Sequence, residues 1–88
     1  MITLFKTDGT TQETKPAEGE VFSHEELMEM VGGYVEYVLV SREGANVTVA
    51  VVNEDGRLKG LPHNVAASFV AGTPLVGNVL ICPANCLG

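Results

Sequence analysis

Two valine-rich runs, Tyr34 to Ser41 (YVEYVLVS) and Asn46 to Asn53 (NVTVAVVN), lie only four residues apart. Each is apolar or β-branched at nearly every position, the pattern of a strand covered on both faces rather than of one with a wet side. The connection Arg42-Glu43-Gly44-Ala45 is long enough for a hairpin and too short for a crossover helix, so the runs predict antiparallel neighbours. They are expected at the centre of a sheet, and the rest of the chain has to supply the layers that cover it.

The other elements follow from local signals. Ile2 to Lys15 (ITLFKTDGTTQETK) reads as a hairpin around Asp8-Gly9, a dipeptide that supplies the positive φ angles of a tight turn. Its second half, Thr10 to Lys15, is polar on both faces, as an edge strand or a solvated arm would be, so the hairpin 2–15 is a candidate arm, followed by a linker from Pro16 to Glu20. In Phe22 to Gly33 (FSHEELMEMVGG), Ser23 with Glu26 predicts a capping box, Phe22 and Leu27 the hydrophobic staple outside it, and Gly32 a left-handed stop. Leu27, Met30 and Val31 share the face to be buried. Further on, Asn64 predicts the cap of a second helix over 65–71 that ends at Gly72, with Val65, Phe69 and Val70 packed inward. Before it, Arg57-Leu58-Lys59-Gly60-Leu61-Pro62 alternates as a short strand or turn would, Leu58 and Leu61 reaching the core while Arg57 and Lys59 point outward together. Val79 to Cys82 is the last strand.

A chain of 88 residues has room for one core, so residues 1–88 are read as a single domain. At that size roughly 60% of the unfolded surface is buried on folding, enough for stability without metal or disulfide. Strands outnumber helices with no regular βαβ repeat. The expected class is therefore α+β, a small mixed or antiparallel sheet of about four to six strands with two short helices.

Charge and motif content narrow the function. Eleven acidic residues against five basic ones give a net charge of −6, whose field repels a phosphate backbone, so direct nucleic-acid binding is not expected. No apolar run approaches membrane-spanning length and none near the start resembles a signal peptide, which predicts no membrane association and a cytoplasmic location. Cys82 and Cys86 match neither a redox CxxC nor half of a zinc pattern; two free thiols are expected, with no metal and no cofactor. There is no GxSxG elbow, Walker loop, HExxH pair or dinucleotide fingerprint, and the chain is not expected to be an enzyme.

One cluster of polar residues stands out, in the connector VVNEDGRLKGLPHNVAAS from Val51 to Ser68. Arg57, Lys59, His63 and Asn64 precede the second helix, whose start offers free backbone N–H groups and the positive end of a dipole, so they form a candidate anion site. The plainer reading is architectural: Gly56 for a turn, Pro62 for a stiff entry and Asn64 for a cap, with the basic groups offsetting local acids.

The segments VGGYVE (Val31 to Glu36), NEDGRLKGLPHNVAA (Asn53 to Ala67) and LVGNVLI (Leu75 to Ile81) resemble an uncharacterised family of bacteria and their phages, number 3846 among the domains of unknown function. The likeness covers about residues 22–81, leaving the N-terminal hairpin and the cysteine-containing tail outside it. The family pattern has an acidic residue after the glycine, where this chain has Asn78. The resemblance implies a small protein often carried by mobile elements and brings no activity or catalytic residue with it. Together these features lead to a non-enzymatic binding protein that inhibits a host protein by occupying it, a component of a bacterial defence system being the most concrete target. The alternatives are a small-ligand binding or sequestering protein for an anionic nucleotide, or a structural module that self-associates through the polar edge strand Thr10 to Lys15 or another exposed sheet edge.

Overall fold

A computed structural model describes residues 2–88. Five strands, β1 (Thr3–Phe5), β2 (Thr11–Glu13), β3 (Val35–Glu43), β4 (Asn46–Asn53) and β5 (Val79–Pro83), form one sheet in the order β2-β1-β5-β4-β3, with every neighbour antiparallel. Helix α1 (His24–Val31) packs on one face and α2 (Val65–Ala71) on the other, and a short 3-10 turn, Ala84–Leu87, ends the chain. The class is α+β.

Strand alternation divides the core into two layers. Leu4, Val51, Leu80 and Cys82 point to the α1 side and pack with Phe22, Leu27 and Val31. Ala50, Val52, Val79 and Ile81 point to the α2 side and meet Ala67 and Leu75. The β4 and β5 strands are thus apolar at successive positions because both of their faces are covered, as the run of β-branched residues predicts for β4.

The α1 signals act as read. Ser23 accepts from the backbone N–H of Glu26 while the Glu26 carboxylate accepts from that of Ser23, and the same carboxylate also accepts from the Ala17 N–H, tying the linker to the helix start. Phe22 and Leu27 are both buried in one cluster, and Gly32 takes a φ of 81°. The Asp8-Gly9 hairpin also forms, with Asp8 accepting from the N–H and hydroxyl of Thr10.

The structure decides between open alternatives and corrects other expectations. Of the two readings of Thr10 to Lys15, the edge strand holds and the arm does not: β2 is one edge of the sheet, and β1 lies between β2 and β5 and buries Thr3 and Leu4. The β3–β4 pair does not form the centre, because β3 is the other edge; Tyr37 and Leu39 on its α1 side are 51% and 57% exposed. An eight-residue helix is only about 12 Å long, and α1 buries Val51 and Leu80 on β4 and β5 while leaving the far half of β3 uncovered. Of the two readings of the segment before Pro62, short strand or turn, the turn holds over 54–60, and it is Leu58 that departs from expectation: it is 90% exposed and only Leu61 turns inward, its side chain against Gly56 and Gly77. Finally, α2 spans the expected residues but is rotated: Ala67 is its buried residue, whereas Val65, Phe69 and Val70 are 71%, 89% and 49% exposed.

Candidate functional site

The connector from Asn53 to Asn64 is held by buried amides. Asn53 ends β4, donating through Nδ2 to the Val31 carbonyl at the end of α1 and accepting through Oδ1 from the Asp55 N–H. Asn64, 2% exposed, caps α2 by accepting from the Ala67 N–H and donates through Nδ2 to the carbonyls of Gly77 (2.8 Å) and Phe5 (2.9 Å). Its amide is saturated by protein groups and bridges β1, α2 and the entry to β5, which makes it a structural bracket.

Of the other three members of the candidate anion site, Arg57 and His63 both contact the 73–76 loop and Lys59 stands apart from them. Arg57 donates 2.7 Å to the carbonyl of Pro74, in the loop after α2, whereas the Lys59 ammonium lies beside Gly33 and Asn53 at the end of α1, on the other side of the sheet. His63 pairs with Val76 through a backbone bridge and sets its Nε2 3.2 Å from Ser68 Oγ. That histidine–serine contact is invisible in the linear motif search, yet its geometry is that of a brace. Ser68 Oγ donates to the Asn64 carbonyl at 2.6 Å and accepts from the Leu75 N–H at 2.8 Å, so the proton a base would remove is already committed to helix backbone. Among the described residues, no buried side-chain nitrogen or oxygen lacks a partner and no group of three His, Cys, Asp or Glu could hold a metal ion.

The feature the connector does position is α2 itself. Asn64, Ser68 and the 73–78 loop fix the rotation of the helix with Ala67 inward. At 100° per residue, Val65 and Phe69 then point straight out, while Ala66 and Val70 lie on the flank opposite Ser68. That flank borders an apolar groove of about 400 Å³ lined by Val70, Phe5, Ile81, Thr3, Thr48 and Pro83. The helix VAASFVA carries no charge, and its single hydroxyl is bonded internally. A helix that is apolar all round is normally covered all round, and here one side only is covered. This surface was missed in the sequence because the apolar residues of α2 were assigned to the core; the available signal was the lack of any polar face to turn outward.

Comparison with known protein families finds a match over nearly the whole chain. The domain described as domain of unknown function (DUF3846) matches residues 4–86. The chain belongs to this family. The DUF3846 match takes in β1 from Leu4, all of β2, Cys82 and Cys86, all outside the shorter stretch 22–81 that the resemblance suggested. No curated protein and no solved structure matches the chain. Asn78 accepts from the Thr7 N–H through Oδ1 and ties the β1–β2 turn to the start of β5. No helix among the described residues is long and apolar enough to cross a membrane.

The cysteines sit in the α1 layer. Cys82 is buried in β5, and Cys86 is half-buried in the final turn, whose carbonyl accepts from the Phe22 N–H. Burial, with the neighbouring Cys86 as a smaller cause, pushes the Cys82 thiol up to about 11. Both thiols are free.

Proposed function

We propose that this chain is a non-enzymatic binding protein that acts by occupying another protein, and that the outward side of α2 is its binding face. The observation that carries this reading is the exposure of Phe69 at 89% beside Val65 at 71%. Burying such side chains in a complex is worth roughly 1.5–3 kcal/mol each, and a surface aromatic of this kind is a typical interface anchor. The partner is a host protein, with a defence component as the concrete case, in keeping with a small acidic chain that resembles a family of bacteria and their phages often carried by mobile elements. The anionic-nucleotide alternative needs Arg57, Lys59 and His63 around one point, and the separate position of Lys59 beside Gly33 lends it no support.

The test is capture from lysate of a bacterial host by tagged wild type and by Phe69→Ser, read by native against denatured mass spectrometry. A host protein held in fixed stoichiometry by the wild type and lost from the variant is the expected result. Identical retention by both proteins removes the α2 face from the reading, and retention by neither removes the reading itself.

A further inference from the structure

The two edges of the sheet are built differently. β2 has three residues, all polar and exposed, and ends in Glu13 with Lys15 just beyond, the short and charged form in which an edge resists pairing. β3 has nine residues, and its stretch Tyr37 to Ser41 carries no charge. Among the described residues no strand pairs with the outer side of β3. The backbone groups that side presents follow from the pairing on its inner side. The Glu54 N–H donates to the Tyr34 carbonyl, which makes Tyr34 and Glu54 a hydrogen-bonded pair. Antiparallel pairs alternate, so Glu36 with Val52 and Val38 with Ala50 are bonded pairs too, and Val35, Tyr37 and Leu39 turn their N–H and C=O groups outward.

The same three residues place their side chains on the α1 side, opposite Asn53, Val51 and Val49, where Tyr37 and Leu39 are 51% and 57% exposed. An irregularity between Leu39 and Ser41 ends this regular stretch. Residues 35–39 thus offer a row of free backbone groups and an apolar stripe together. An extended strand is the occupant that satisfies such a row, and the stretch is its own complement. About a two-fold axis at Tyr37, Val35 meets Leu39 of a second copy, Tyr37 meets Tyr37, and Leu39 meets Val35. Every outward backbone group then faces another, and the apolar side chains of the α1 side lie directly opposite one another. On the other face Glu36 meets Val38, so the two copies of Glu36 are diagonal rather than opposed. From this self-complementarity we infer that β3 pairs with β3 of a second copy, joining two five-stranded sheets into one. The net charge of −6 on each copy opposes the contact, so the dimer tightens as salt screens it. Tyr37 and Leu39 lie on the opposite side of the sheet from α2, which makes this surface distinct from the binding face proposed above.

Sedimentation equilibrium of the full chain over a series from micromolar to millimolar protein is expected to pass from the protomer mass to twice that mass, with a lower Kd at high salt. Amide hydrogen exchange by NMR locates the contact. The Val35, Tyr37 and Leu39 amides should slow severalfold on concentration. The Thr11 and Glu13 amides, which by the same alternation point outward on the β2 edge, should stay fast. Leu39→Lys puts a charge at an exposed position and should weaken dimerisation about tenfold or more, because the two-fold axis repeats the change on both copies; far-UV circular dichroism checks that the variant is folded. Phe69→Ser should dimerise as the wild type does. A protomer mass throughout the series, a dimer indifferent to Leu39→Lys, a dimer lost in Phe69→Ser, or one whose Val35, Tyr37 and Leu39 amides exchange freely overturns the inference. A monomer whose capture of a host protein is lost in Leu39→Lys gives the edge to a foreign strand and overturns the second copy as its occupant.

Discussion

Asparagine and aspartate are about equally good N-caps at an ordinary helix start, so Asn64→Asp is a sharp test of whether Asn64 is a cap or a bracket. The variant keeps an oxygen for the Ala67 N–H and loses both Nδ2 donations, to Gly77 and to Phe5. The Gly77 contact is buried and its orphaned carbonyl costs about 1–3 kcal/mol, the partly buried Phe5 contact about 1 kcal/mol, and a carboxylate held against two carbonyl oxygens adds to both. The expected loss is about 3–5 kcal/mol, a large part of the roughly 5–15 kcal/mol that stabilises a typical domain. Asn64→Ala gives up the cap as well but introduces no charge, so it should be no worse than Asn64→Asp. Urea unfolding followed by far-UV circular dichroism reads this directly. With a slope of roughly 1.5 kcal/mol per molar, the midpoint of Asn64→Asp falls by about 2–3 M. A fall corresponding to less than about 1 kcal/mol would refute the bracket, leaving Asn64 as a replaceable helix cap.

Ser68→Ala strips the Leu75 N–H of its acceptor and releases His63, and should destabilise the domain by about 1–3 kcal/mol in the same unfolding assay; an unchanged midpoint means the brace is redundant. Hydrogen bonds from the Ser23 and Ala17 N–H groups hold the Glu26 carboxyl below the usual carboxylate range, so its contribution is present at neutral pH and is lost as pH falls through that lowered value. Glu26→Gln should flatten that part of the acid stability profile, and parallel profiles would show that the capping box contributes nothing. Because the folded state favours the protonated Cys82 thiol, stability should fall as pH rises above about 9 toward about 11, and Cys82→Ser should remove that slope. At pH 8 in the native state a thiol reagent should modify Cys86 quickly and Cys82 only on unfolding; two equally fast thiols would contradict the buried position of Cys82.

The sequence by itself determined the local elements. The capping box at Ser23 and Glu26, the stops at Gly32 and Gly72, the Asp8-Gly9 turn and the span of α2 all depend on backbone groups within a few residues, so short-range chemistry reads them correctly. The two valine-rich runs likewise identified a hairpin, and the class followed. What only the tertiary structure decided is which surface each element covers. An apolar strand reads the same at the edge as in the middle, because its position depends on which strands pair with it, and β3 became an edge when β5 paired with the far side of β4. The rotation of α2 had no polar face to mark it in the sequence. It was settled by long-range hydrogen bonds from Asn64 to Phe5 and Gly77 and from the Leu75 N–H to Ser68. The same bonds that absorbed Asn64 and committed Ser68 turned Phe69 to solvent, so the surface proposed for binding arises from contacts between residues as many as 59 positions apart.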